Sequence, residues 1–354
     1  LKNIDKVFPN HRLNWAAHLL GKPRVLVEAW GTSSWDITMA SAKRVNDFLI
    51  ATGCDLFVPH SFNYSEDSYR KGDHPAAFNY QPYYKNWKLM SDYNARLCAL
   101  FNAHSGVLVP DCLLFYPNKT YHAEMMPLSS EIADKIAPLF NHSADCLFRQ
   151  QLDFELANED LIIGSTMADG QFTIREETFK FLVLGATTCV GLKFAQWLEK
   201  YYSAGGKIIA MGLLAFKEAN TGVSTEVESI MEKIFGVNPS LLFRDFKANK
   251  IAELKTIRRS NDKGGVAIFI QYPAKAPFMV PFHPAFEAAC RERVDLSKRD
   301  VVVFRDEAAQ KHAAYVMKVH KKIGDKEYFF LTNTSRMATR SEERRVGKEC
   351  RSRW

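Results

Sequence analysis

Between Arg24 and Tyr64 the chain reads RVLVEAWGTSSWDITMASAKRVNDFLIATGCDLFVPHSFNY, and few folds accommodate this stretch. Arg24-Val25-Leu26-Val27 is a short apolar run that stops abruptly at Glu28. Thr38 then stands where an N-cap belongs, and Met39, Ala42, Val45, Phe48 and Leu49 recur at helical spacing before Gly53. A second apolar run, Leu56-Phe57-Val58, ends in Pro59-His60. Two buried strands joined by a helix form a βαβ unit, so the strands are expected to be parallel neighbours. Glu28 and His60 then close the C-terminal ends of adjacent strands, the edge at which β/α barrels keep their chemistry.

Glu28 is the first candidate. Cutting a glycosidic bond takes two carboxylates, one to protonate the leaving oxygen and one to attack the anomeric carbon or activate water. In a barrel the two come from different strand ends, so their spacing in sequence is free. The plain alternative is an ion pair between Glu28 and a nearby Lys or Arg. Trp30 and Trp35 shift the balance toward a carbohydrate site, because an indole ring offers a broad apolar face and a polar edge to a sugar. His60, which taken alone would be a hydrogen-bonded core or rim residue, is placed one strand beyond Glu28 to contact a sugar hydroxyl or to orient Glu28. Asn63, Tyr64 and Asp73, in the long aromatic loop after His60, are candidate sugar contacts, although ordinary turn chemistry would explain each of them singly.

The rest of the chain repeats the alternation. A helix is expected over 84–105. From Val107 onward, apolar runs at 111–117, 181–185 and 207–211 alternate with helical patterns at 129–140, 192–203 and 224–235, and short strands are read at 161–164 and 172–174. That pattern describes a doubly wound α/β domain. The expected organisation is residues 1–106 as the last strands and helices of a barrel, 107–240 as the doubly wound domain, and 241–340 as a mixed connector or the start of a β module. Within the connector, 241–258 reads as mostly helical, followed by strands near 266–271, 301–304, 315–320 and 327–332. Residues 341–354, SEERRVGKECRSRW, have no hydrophobic period and are read as a non-native tail. With no Met at position 1, the chain reads as a fragment truncated at both ends.

Composition excludes several classes. Part of the formal charge of +7 comes from one end: residues 340–354 hold six Lys/Arg against three Asp/Glu, leaving +4 on the remainder. A nucleic-acid partner is not expected, and Lys247 to Arg259 reads as a solvated helix face rather than a polyanion site. No apolar run reaches membrane-spanning length. The seven Cys, at 54, 98, 112, 146, 189, 290 and 350, form no CxxC pair, which argues against a zinc site or a disulfide framework. No phosphate loop, dinucleotide fingerprint or HExxH occurs. Cys189, in Gly185-Ala186-Thr187-Thr188-Cys189-Val190-Gly191, follows a strand as nucleophilic cysteines on sharp turns do. Thr187 stands where that motif needs Gly, and a silent Cys is the competing reading.

Several segments together resemble a known group. They are Ala16 to Pro23, Val25 to Gly31, Val58 to Phe62, Asp73 to Phe78, Gln81 to Tyr84, Asp111 to Pro117, Leu152-Asp153-Phe154 and Gly205 to Ile209. They resemble the late barrel segments and following domain of large bacterial glycoside hydrolases of the α-L-rhamnosidase type, glycoside hydrolase family 106 and relatives. The resemblance implies the C-terminal part of a (β/α)8 barrel, then an amidotransferase-like doubly wound domain without its own catalysis, then a short β-containing connector. It places Arg24 to Glu28 as barrel strand seven and Leu56 to His60 as strand eight. Glu28 is then the nucleophile or general base, with the general acid on an upstream strand. A carbohydrate is the implied substrate. The resemblance admits calcium, for which no residue is assigned as ligand; no other cofactor is implied. On the same fold, the alternatives are a non-catalytic carbohydrate-binding or scaffold protein and a Cys189-dependent amidotransferase-like hydrolase.

Overall fold

The computed structural model describes residues 17–65, 67, 78–102, 105–125, 131–272, 284–293, 303–306, 311–312 and 316–334. Asp73, most of the aromatic loop around it and the tail 341–354 lie outside the described residues. The chain divides into two compact units, Leu1–Leu108 with Val302–Trp354, and Val109–Val301.

The first unit is built on the expected βαβ. Strand β1 (Leu26–Ala29) pairs in parallel with β2 (Leu56–Pro59), Leu26 opposite Leu56 and Glu28 opposite Val58. Helix α1 (Met39–Ala51) connects them, and its first turn is capped by Thr38, whose side chain accepts the Ser41 N–H at 3.1 Å. The helix ends at Thr52, and Gly53 takes the left-handed conformation (φ 93°) that turns the chain toward β2. Asp55 then sets the register. Its buried carboxylate accepts the Val25 N–H at 2.7 Å, tying the entrance of one strand to the other. Helix α2 (Trp87–Phe101) follows two short 3₁₀ turns and packs on α1. Across that contact the buried Asn46 amide donates to Asn94 Oδ1 at 3.0 Å, and Tyr93 Oη donates to Asp47 Oδ1 at 2.6 Å.

The pleat separates the faces of this small sheet. Val25, Val27 and Ala29 are buried, whereas Leu26, Leu56 and Val58 are 59%, 40% and 42% exposed. Side chains alternate across a strand, so Glu28 shares the open face with these three. The first unit continues into β3 (Val107–Leu108).

The second unit holds a six-stranded sheet made of β4 (Cys112–Phe115), β5 (Phe154–Ala157), β6 (Phe181–Leu184), β7 (Lys207–Met211), β8 (Lys255–Ser260) and β9 (Val266–Gln271). The strand order is β8–β9–β7–β6–β4–β5. All neighbours are parallel except the edge strand β8, which runs antiparallel to β9. Counting only the parallel strands, this is the 2-1-3-4-5 order of a doubly wound sheet, whose switch point lies between β4 and β6. The strands β4, β5 and β6 are buried at every position; β4 and β6 are unbroken apolar runs, whereas β5 carries the buried Glu155. The connecting helices include α3 (Asn118–Glu124), α4 (Glu131–Arg149), α5 (Leu192–Ser203), α6 (Thr225–Phe235) and α7 (Pro239–Lys247).

Three expectations need correction. Leu161–Gly164 is not a strand: Glu159–Ile163 is a helix, capped by Asn158, with Glu159 and Asp160 in its first turn. The cap and the acidic first turn outweigh a short apolar run that carries no period of its own. The stretch 241–258 is helical only to Lys247. After the left-handed turn at Asn249 (φ 54°), Lys255–Ser260 pairs as β8, its exposed Arg258 and Arg259 marking a charged sheet edge. The second unit therefore extends beyond residue 240. The last strands, β10 (Val316–Ile323) and β11 (Lys326–Asn333), form an antiparallel hairpin whose β10 also pairs with β3, so they belong to the first unit. There Phe330 packs on Phe101 with ring centroids 5.6 Å apart, and the buried Lys321 ammonium caps the carbonyl of Asn102 at the end of α2.

Candidate functional site

The site is assembled at the C-terminal ends of β1 and β2. The ladder of the two strands runs one step beyond β2, with the His60 N–H donating to Ala29 O at 2.9 Å, so Glu28 and His60 leave the sheet on neighbouring strands as the sequence reading required. Glu28 is exposed and His60 half-buried. The two side chains converge on one spot beside Gly31. A β-carbon at Gly31 would lie 3.8 Å from His60 Cγ, 3.9 Å from His60 Cδ2 and 4.0 Å from Glu28 Oε1.

The loop leaving β1 is strained. Trp30, Thr32 and Ser34 all sit at positive φ, at 72°, 55° and 70°. Such a conformation costs a residue with a β-carbon of order 1–3 kcal/mol, and a β-branched Thr is among the least tolerant of it. The surroundings hold the loop in place. Trp30 is only 4% exposed, its ring packed edge-on against Phe78 and Trp87 at 5.2 Å each. Its indole N–H points to the carbonyl of Ala42 in α1, at 3.4 Å. Farther along, Gln81 Nε2 donates to Trp35 O at 3.2 Å and Tyr83 Oη donates to Ile37 O at 2.6 Å, so the segment 78–83 clamps the loop from the other side.

The structure thus places the expected contacts at different depths. Trp30 faces the protein interior and serves as the anchor of the loop. Trp35 is half-buried. Asn63 and Tyr64 are exposed just past His60, Asn63 Oδ1 accepting from Ser61 Oγ at 3.0 Å and Tyr64 standing fully in solvent. Next to them the exposed Phe62 meets Tyr84 edge-on at 6.3 Å. Asp73 lies outside the described residues. Sequence reasoning missed the clamp by Gln81 and Tyr83, although both lie in the aromatic loop and in a segment that carries the resemblance.

The switch point of the second unit is the other place where chemistry would be sought, and it is filled by protein. Thr188 Oγ1 donates to Glu124 Oε1 at 2.6 Å, and Lys217 Nζ donates to the same oxygen at 2.7 Å. Thr120 Oγ1 accepts the N–H groups of Thr188 and Cys189, both at 3.1 Å, and donates to Cys189 O at 3.0 Å. Glu159 accepts the Gly191 N–H at 2.7 Å while pairing with Lys119 at 2.6 Å. The loop Gly185–Gly191 is pinned on both sides. Cys189 is buried, and burial pushes its thiol up to about 11 despite the opposing pull of Lys217. A nucleophilic cysteine needs the reverse shift, so the geometry gives no support to a Cys189-dependent hydrolase.

Among the described residues, no group of three or more His, Cys, Asp or Glu side chains could hold a metal ion, so the calcium admitted by the resemblance has no such donor set there. No described helix is long and apolar enough to cross a membrane.

No protein-family model and no curated protein matches the chain. Solved structures do. The chain is similar to a rhamnosidase from Novosphingobium sp. PP1Y, with a TM-score of 0.55 and 18% identity over 94% of this chain and 28% of that one. It is also similar to Gan42B, a GH42 β-galactosidase from G. stearothermophilus, with a TM-score of 0.60 and 10% identity over 93% of this chain and 51% of that one. A β-galactosidase from Bacillus circulans sp. alkalophilus gives 0.59 and 11%, over 91% and 52%. The chain therefore has a fold found in glycoside hydrolases, and it spans between about a quarter and a half of the length of these proteins.

Proposed function

We propose that this chain is the C-terminal part of the catalytic barrel of a glycosidase together with an amidotransferase-like doubly wound domain, and that Glu28 is one of the two catalytic carboxylates. One observation carries the reading. On one face of the two-stranded parallel sheet Val27 and Ala29 are buried and Phe57 and Pro59 half-buried, while Leu26, Leu56 and Val58 are open on the other, with Glu28 at the C-terminal end of that open face. Apolar side chains topped by a carboxylate are what two staves of a (β/α)8 barrel present to its interior, where packed layers fill the lower part and the reacting groups sit at the top. The likeness in fold to a rhamnosidase and to β-galactosidases supports the same reading.

In this role Glu28 is the nucleophile or the general base, and the general acid comes from an earlier strand of the full-length protein. Its distance from Glu28 would set the stereochemical outcome: about 5–5.5 Å for retention, about 6.5–9.5 Å for inversion. His60, on the next strand end, holds the adjoining sugar hydroxyl or orients the carboxylate. Trp30 acts indirectly, by fixing the strained loop that carries the site. Tyr64 and Phe62 are exposed at the mouth and supply apolar surface for further sugar residues.

The test is hydrolysis by the full-length protein of a panel of aryl glycosides, with α-L-rhamnosides and β-D-galactosides first. Turnover of at least one of them, lost in Glu28→Gln, is the expected result. A full-length protein that cleaves none of them, or whose turnover survives Glu28→Gln, would refute the assignment.

A further inference from the structure

Gly31 departs from the usual use of glycine. Three of its neighbours, Trp30, Thr32 and Ser34, take up left-handed backbone conformations in spite of their side chains, yet Gly31, between them, does not. Its φ lies outside the left-handed region that favours glycine. The usual reason for a glycine in such a loop, freedom to take positive φ, is therefore absent. The other reason is room. The space that a side chain at Gly31 would enter is bounded by Glu28 Oε1 at 4.0 Å and by the His60 ring at 3.8 Å. A single methyl group would sit there in ordinary contact, and anything longer would run into the space shared by the two functional groups.

We propose that Gly31 is a specificity-determining residue that forms the floor of the subsite for the reacting sugar, leaving a neutral pyranose ring free to lie over its α-carbon within reach of Glu28 and His60. The inference rests on the reading of Glu28 as a catalytic carboxylate. A bare α-carbon suits the apolar C–H face of a sugar ring, and a flat floor holds the reacting carbon level with Glu28 Oε1 while a ring hydroxyl turns toward His60. The rigidity of the loop, anchored by the buried Trp30, keeps this floor from adjusting to an added side chain.

The experiment compares Gly31→Ala, Gly31→Leu and Glu28→Gln in the full-length protein, with kcat and KM for the aryl glycoside it cleaves best and with Tm as a control on folding. Gly31→Ala should raise KM by roughly 10-fold with kcat little changed, because one methyl group displaces the ring without reaching the reacting atoms. Gly31→Leu should lower kcat/KM by roughly 100-fold or more, because it drives the substrate out of line with Glu28. Tm should change little in Gly31→Ala, since Gly31 is not held at a left-handed φ and an added β-carbon meets its neighbours at 3.8–4.0 Å. If Gly31→Leu fails to fold, the KM of Gly31→Ala decides. An unchanged KM in Gly31→Ala, or near-normal kcat/KM in a folded Gly31→Leu, overturns the role of Gly31 while the loss of activity in Glu28→Gln still stands. Full activity in Glu28→Gln removes the underlying reading, and the inference with it.

Discussion

Trp30 is the residue for which the structure makes the sharpest energetic prediction. Its ring is buried between Phe78 and Trp87, and its N–H points at a backbone carbonyl of α1. Truncation to Ala removes a full aromatic side chain from a packed site, a loss of about 3–5 kcal/mol including the cavity left behind. Each edge-on ring contact adds about 0.5–1.5 kcal/mol beyond area, part of which Phe would retain. Trp30→Ala should therefore destabilise the first unit by about 4 kcal/mol, and Trp30→Phe by about 1–2 kcal/mol. The backbone gives an independent check. At φ 72° a β-carbon is unwelcome, so Trp30→Gly should be less damaging than Trp30→Ala by about 1 kcal/mol. Native-state hydrogen exchange, read separately in each unit, is the assay. Amides of α1 should lose protection in the order Gly, then Ala, as the more affected, while those of β6 and β7 should not move. If Trp30→Ala leaves α1 protection within about 1 kcal/mol of the parent, the ring is not a core anchor. The sugar platform expected from the sequence would then be the better account of it.

Other expectations concern the second unit. Cys189, with its thiol pushed up to about 11, should react with a thiol reagent at neutral pH far more slowly than a free thiol of ordinary acidity, and equal rates would contradict its burial. His142 is held neutral by burial and by Arg149, its value lowered from 6.5 to about 4. Between those values an unfolded chain binds a proton that the folded chain refuses, so stability is fully present above about pH 6.5 and falls as the pH drops toward 4, by of order 2–3 kcal/mol. Replacing His142 by Gln should flatten denaturant midpoints across that window, and an unchanged pH profile would show that His142 is not the group responsible.

Much of the architecture was legible because the informative stretches carry unambiguous periods. Arg24 to His60 combines two short apolar runs with a helix marked by Thr38 at one end and Gly53 at the other, and the parallel pairing follows from the length of the connection. The core strands β6 and β7 are equally plain, because Phe181 to Leu184 and Ile208 to Met211 are unbroken apolar runs, as buried parallel strands tend to be. Legibility failed where a local signal was short or where the partner is distant in sequence. Leu161-Ile162-Ile163 has too few residues to show a period, and the cap at Asn158 decided it. Nothing in Val316 to Asn333 says that it pairs with β3, some 200 residues earlier, because sheet partners are chosen by tertiary packing. At the candidate site, the position of Glu28 and His60 on neighbouring strand ends followed from strand order. The inward turn of Trp30 did not, since it depends on positive φ and on Phe78 and Trp87 arriving from other segments. The polar plug of Glu124, Thr188 and Lys217 was likewise hidden, being drawn from three separate connections.

The central claim is that Glu28 takes part in bond cleavage, and its most direct test is the turnover and sugar affinity of Glu28→Gln measured side by side in the full-length protein. A positioned general base contributes about 10²–10⁴-fold, so kcat should fall by at least about 100-fold while the affinity for sugar changes little. If turnover persists at the parent rate, or if affinity disappears along with it, Glu28 is a sugar ligand or a structural carboxylate, and the protein is better described as a carbohydrate-binding scaffold on a glycosidase fold.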